Sequence, residues 1–319
     1  MLILRILKEW TLLIAMLAGA LAYVLLSQIP ILSPLKPYAL STVKVLTPVL
    51  IFTMLFLTFC KINPKDLRPR LWHFWLLLLQ SVGCISVTVY IVWNPLSIEH
   101  KIIWEGVLAC LLCPTATAAA VVTGKMGGDT ASLTSYTLAS NVLSALLITT
   151  LCPFVEPTIG TDFMGALLKI LTQVTQLLIA PFLAAWAIRV FLPKLHRSIL
   201  QFKDLAFYLW GISLAMVMAQ TLRIIVMDFK NPLLEVSMAL ATLVLCGLLF
   251  FLGKAIGHRY GQRISGGQAF GQKNTIFAIW LALTYLNPIA AVGPGSYVVW
   301  QNSVNSWQLW KKRKQQIKS

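Results

Sequence analysis

The run GGQAFGQKNTIFAIWLAL, Gly266 to Leu283, opens with glycines and side-chain amides, ends as an apolar helix, and carries one ammonium group, Lys273. A second run, VLACLLCPTATAAAVVTGKMGGD, sets Pro114 inside an apolar stretch beside Thr115, with Thr117 two residues further on. Proline removes a backbone donor and pushes its predecessor out of the helical region, so main-chain groups are freed there. What the two runs offer is hydroxyls, amides, free carbonyls and one positive charge. Such groups hold an ion or a polar solute; no nucleophile with a base, and no metal constellation, accompanies them. No enzymatic activity and no cofactor is expected. Cys110 and Cys113 form a CLLC without a second pair, and His73, His100, His196 and His258 lack a second ligand at metal spacing, so all six cysteines read as small hydrophobes.

The elements that position these groups must cross a membrane. With 58% hydrophobic and 11% charged residues over 319, and a mean hydropathy of +0.79, the chain is an all-α polytopic membrane protein. Runs of about twenty apolar residues, enough to span ~30 Å of hydrocarbon, place ten transmembrane helices roughly at 10–27, 38–60, 71–93, 102–123, 130–152, 163–192, 204–226, 233–257, 268–286 and 288–310. The first has the basic start of a signal peptide but no cleavage site, and is expected to stay as a helix.

The formal charge of +16 suits the rule that basic residues gather in cytoplasmic loops. With the N-terminus inside, most of the 26 lysines and arginines fall on the inner side, and Lys36, Lys101, Arg223 and Lys230 on the outer. Both termini are then cytoplasmic, the tail 311–319 is a basic anchor on anionic lipid, and no nucleic-acid partner is needed. A bacterial inner membrane is the expected location. Trp10, Trp72, Trp75, Trp104, Trp307 and Trp310 lie near span ends and read as an interfacial belt.

Spans four and nine are both interrupted, at Pro114 and at Gly266, Gly267 and Gly271. Each is followed by an echoing heptapeptide: SYTLASN (Ser135 to Asn141) in span five and SYVVWQN (Ser296 to Asn302) in span ten. The breaks and the echoes are offset by nearly the same interval. Five spans per half turn the second copy upside down, so the chain reads as two inverted five-helix repeats, 1–157 and 158–310, followed by the tail. Paired breaks of this kind are the sequence pointer to a transporter site.

Four segments in order resemble the bile acid:sodium symporter family: MLFLTFCKINPKDL, PTATAAAVVTGKMGGD, GQKNTIFAIWLAL and VWQNSVNSW. The resemblance implies a panel of helices one, two, six and seven beside a core of the other six. It also implies crossing helices four and nine, an amphipathic organic anion as substrate, and two sodium ions near the crossing. The chain departs from the family there. Ala119 and Ala120 stand where the family has a serine and an asparagine, and of two family hydroxyls Thr134 is kept while Leu138 replaces the other. The family's glutamate falls on Gln268 or Ala269, and Gln80 keeps its glutamine.

Lys273 therefore has two readings. In one, its ammonium replaces a sodium ion and transport becomes sodium-independent or proton-linked, since lysine, unlike arginine, can release its proton. In the other, it lies near a helix end and snorkels to water. Thr115, Thr117, Gln272 and Asn274 are candidate ligands at the breaks, or partners for freed backbone; Asn141, Asn302, Asn305 and Gln301 bind ligand or link helices. Glu105 is a gate or, more simply, a solvated first-turn acid. The functional expectation is a secondary transporter of a small or amphipathic organic anion by alternating access. The alternative is a non-transporting membrane sensor or structural protein that keeps the fold.

Overall fold

The computed structural model describes residues 11–61, 68–116, 118–156, 168, 172, 176, 179–202, 205–227 and 232–318. The described chain is helical: α1 (Thr11–Gln28), α2 (Lys36–Cys60), α3 (Leu71–Trp93), α4 (Ile98–Leu112), α5 (Ala119–Met126), α6 (Thr130–Val155), α7 (Ala180–Phe191), α8 (Pro193–Gln201), α9 (Leu205–Met227), α10 (Pro232–Arg259), α11 (Arg263–Gly271), α12 (Thr275–Tyr285) and α13 (Val292–Lys318), with short 3₁₀ turns at Pro30–Leu35 and Pro288–Ala291. Four of these, α2, α3, α6 and α10, are long and apolar enough to cross a membrane by length and composition; shorter apolar helices occur at Ile14–Gln28, Ala180–Phe191, Gly211–Gln220 and Thr275–Tyr285. Of the expected sixth span only its second half, α7, is a described helix, and Thr117, Lys169 and Trp10 lie outside the described residues.

α10 shows how the pattern sorts itself in lipid. Leu233, Val236, Leu240, Val244, Leu248 and Phe251 are exposed along one helical stripe, while Met238, Thr242, Leu245, Cys246 and Leu249 are buried on the other. An apolar exposed stripe of this size belongs against acyl chains. α1 lies along α9, and α2 packs on α7 and α9; α10 packs on α11, α13 and α4.

The fourth expected span is divided where proline demands it. Cys113, just before Pro114, adopts φ −73° and ψ 143°, the extended conformation that a following proline ring imposes, so α4 stops at Leu112. The ninth divides differently from expectation. Gly266, Gly267 and Gly271 lie inside α11, and the extended break is Gln272–Lys273–Asn274. The glycines serve packing: a Cβ on Gly266 would fall 2.5 Å from the Gly253 carbonyl oxygen, and one on Gly253 would fall 2.4 Å from that of Gly266. Small residues of this kind let two membrane helices approach to backbone contact.

Candidate functional site

Two interrupted helices meet at their breaks. Thr115 and Lys273 form an isolated antiparallel bridge. The Ala116 amide donates to the Gln272 carbonyl at 3.0 Å, and the Asn274 amide donates to the Pro114 carbonyl at 2.9 Å. Backbone freed by the breaks is thus paired across the crossing rather than left bare, the condition on which irregular chain survives at membrane depth. Four helix ends converge here: the C-termini of α4 and α11 and the N-termini of α5 and α12.

Side chains complete the stitching. Thr115 Oγ1 donates to the Ala269 carbonyl at 2.7 Å, tying the first break to α11. Gln80 of α3 donates from Nε2 to the carbonyls of Leu111 at 2.9 Å and Cys113 at 3.3 Å, closing the C-terminal end of α4. Tyr297 of α13 does the same for α11, its hydroxyl donating to the Gly271 carbonyl at 2.8 Å. Asn274 caps α12, its Oδ1 accepting from the Phe277 amide at 3.2 Å.

Lys273 is 1% exposed, so it does not snorkel. Nζ donates to the Cys113 carbonyl at 3.3 Å and lies 5.1 Å from the centre of the Phe270 ring. Among the described residues no carboxylate pairs with it. Its compensation is the carbonyl end of α4, where the helix dipole is negative, and the face of an aromatic ring.

Of the sequence candidates, Gln80, Thr115, Gln272, Lys273 and Asn274 come together at the crossing. Asn141 and Asn302 are buried one residue beyond side chains that touch it, and neither amide atom of Asn141, nor Oδ1 of Asn302, meets a hydrogen-bond partner among the described residues. Gln268, fully buried, belongs to a neighbouring cluster: its Nε2 donates to Asn305 Oδ1 and to Gln308 Oε1, both at 3.1 Å. Thr134 is half-buried and spends its hydroxyl on the Thr130 carbonyl one turn back, away from the crossing.

Two expectations fail. Glu105 is not a solvated first-turn acid; it sits mid-α4 with 0% exposure, its Oε2 accepting from the Asn287 amide at 2.8 Å and its Oε1 3.6 Å from Lys101 Nζ. Trp72 does not face lipid either: it is buried and stacked on Tyr136 at 5.7 Å, because the start of α3 lies against α6.

Sequence reasoning passed over Ser140 and undervalued Gln301. Ser140 Oγ accepts from the Thr115 amide at 3.2 Å, and Gln301 Oε1 accepts from the Lys273 amide at 2.9 Å. Each is the sixth residue of its echoing heptapeptide, which is the signal that would have found them.

No curated protein matches the chain. The family model for the Sodium Bile acid symporter family matches residues 48–230, more than half of the chain, ending just before α10 and therefore before Lys273. The helical membrane architecture described above accords with that match, and the chain belongs to the Sodium Bile acid symporter family of multi-pass membrane transporters.

Proposed function

We propose that the protein is a secondary transporter of a small or amphipathic organic anion, working by alternating access at the crossing, with Lys273 in place of a sodium ion. The observation that carries this reading is the burial of the Lys273 ammonium on the Cys113 carbonyl with no carboxylate partner among the described residues. Sodium wants several hard oxygens and a negative site. Here one carbonyl is already engaged by a fixed cation, Ala119 offers no oxygen, and Gln268 offers an amide where a carboxylate is expected.

The anion preference rests on the N-termini of α5 and α12, which bring positive dipole ends to the crossing. Asn141, with both amide atoms, and Asn302, with Oδ1, lack a partner among the described residues and are groups a polar solute would satisfy. The inverted repeat is supported by Ser140 and Gln301, which hold the two breaks from the same position of each echo. The mutual packing of α1, α2, α7 and α9 supports a panel moving against the remaining helices. The cytoplasmic placement of the C-terminus draws on Lys311 and Lys314, which lie over Trp307 and Trp310 at 5.4 Å and 4.1 Å as basic groups do at an inner interface.

The test is counterflow in proteoliposomes over a panel of radiolabelled organic anions, in sodium, potassium and choline salts at equal ionic strength. Saturable counterflow of at least one anion, at equal rates in the three salts, is expected. Counterflow that needs sodium would remove the role given to Lys273, and absence of counterflow across the panel would favour a sensor on the same fold.

A further inference from the structure

A cavity lies away from the crossing, among α1, α2 and α9. Its volume is about 550 Å³, well inside the ~300–1,000 Å³ range of sites that hold a small molecule. None of the crossing residues lines it. Its polarity is graded along one axis. Ala18, Gly19, Val43, Ala215 and Met216 line it toward one end, whereas Ser27, Lys36, Gln220 and Arg223 line it toward the other.

Chain direction explains the gradient. α1 ends at Gln28, α2 begins at Lys36, and α9 approaches its end beyond Arg223, so all three helices bring polar residues to the same end of the cavity. From Ala215 to Arg223 the cavity runs along α9 for ~12 Å. At the apolar end Gly19 meets the backbone of Ala215; a Cβ there would lie 1.9 Å from the carbonyl oxygen. Lys36 donates to the Ser27 carbonyl at 3.3 Å, which leaves two of its three N–H groups for other acceptors, and among the described residues neither Lys36 nor Arg223 is paired with a carboxylate.

An apolar shaft with two cations at one end matches one kind of occupant, an anionic amphiphile. We propose that this cavity is a binding site for an anionic phospholipid of the surrounding bilayer, with one acyl chain in the shaft and the phosphate between Lys36 and Arg223. Arg223 supplies a planar fork of donors to the phosphate oxygens, and Lys36 supplies a point charge beside it. Basic pockets between transmembrane helices bind lipid headgroups by this chemistry. The site stands independently of the transport reading, since it shares no residue with the crossing.

The test is native mass spectrometry of the purified protein titrated with phosphatidylglycerol and, separately, with phosphatidylcholine of the same acyl chains. The parent is expected to bind one phosphatidylglycerol more tightly than phosphatidylcholine. Lys36→Gln and Arg223→Gln are each expected to weaken that binding about fivefold, and Ala219→Phe, which fills the shaft, to abolish it while the melting temperature reports that the variant is folded. Equal binding of the two lipids, or unchanged phosphatidylglycerol binding in both glutamine variants, would overturn the proposal. So would competition by inorganic phosphate alone, since an ion that suffices without an acyl chain has no use for the shaft. Should Ala219→Phe fail to fold, the two glutamine variants decide.

Discussion

Ser140 and Gln301 hold the two halves of the crossing in the same way. The first accepts the Thr115 amide at 3.2 Å and the second accepts the Lys273 amide at 2.9 Å, and Thr115 and Lys273 are themselves bridged. Each therefore secures an extended residue that has no helical neighbour to bond. Removing either acceptor leaves a buried N–H without a partner, at a cost of about 1–3 kcal/mol. Ser140→Ala and Gln301→Leu are each expected to lower the melting temperature in detergent, and the double variant to lose about the sum of the two if the bridge survives. A double variant that loses little more than either single one would show that the two acceptors act as one unit.

On the proposed reading, Lys273 sets the ion response. The parent is expected to melt at one temperature in sodium, potassium and choline chloride at constant ionic strength, because the fixed ammonium already neutralises the carbonyl end of α4. In Lys273→Ala the Cys113 carbonyl loses its cation, and a specific rise with sodium is expected, since a ligand of the folded state stabilises by mass action. A sodium-specific rise in the parent would contradict the substitution of ion by lysine.

Gly266 and Gly253 carry the contact between α10 and α11. Because a Cβ on either would meet backbone at 2.5 Å or less, Gly266→Leu must push the helices apart and displace the crossing. A loss above about 3 kcal/mol, or failure to express in folded form, is expected. Gly247, which has open space around it, serves as the control: Gly247→Ala is expected to be neutral or slightly stabilising. Fluorescence-detected gel filtration after a heating series reads both.

Glu105 ties α4 to the turn before α13. Glu105→Ala removes the acceptor of the Asn287 amide and leaves Lys101 with Glu156 alone. A destabilisation of about 2–4 kcal/mol is expected from a buried partner removed. Glu105→Gln keeps an oxygen for Asn287 and is expected to recover about half of the loss. If alanine and glutamine behave alike, the Lys101 contact rather than the Asn287 bond is what matters, and thermal denaturation of the two variants decides.

Much of the architecture was legible because membrane physics writes itself into composition. Apolar runs named the helices α2, α3, α6 and α10, and Pro114 located the first break to the residue. The second break was misplaced onto glycines because glycine in a sequence reads equally as a helix interruption or a packing surface. Only the neighbour, Gly253 and Gly257 of α10, distinguishes the two. Trp72 and Glu105 were misjudged for a related reason: position within a span says how far a residue is from the helix end, not which helix lies beside it. At the candidate site, Lys273 was picked out by charge alone. Its burial could not be, because the carbonyl that receives it belongs to a residue 160 positions away. Ser140 was missed since a serine in a membrane helix most often bonds back to its own helix, as Ser135 does.

The tether of Lys273 to its own backbone has a thermodynamic consequence. A diffusible ion that accompanies a solute is left behind on the far side, and its concentration difference does work on the solute. An ammonium covalently joined to the chain is present on both sides of every cycle and is never delivered. Whatever affinity it lends is lent equally in either direction, so a carrier built on it equilibrates its solute and concentrates nothing unless the nitrogen exchanges a proton with one side.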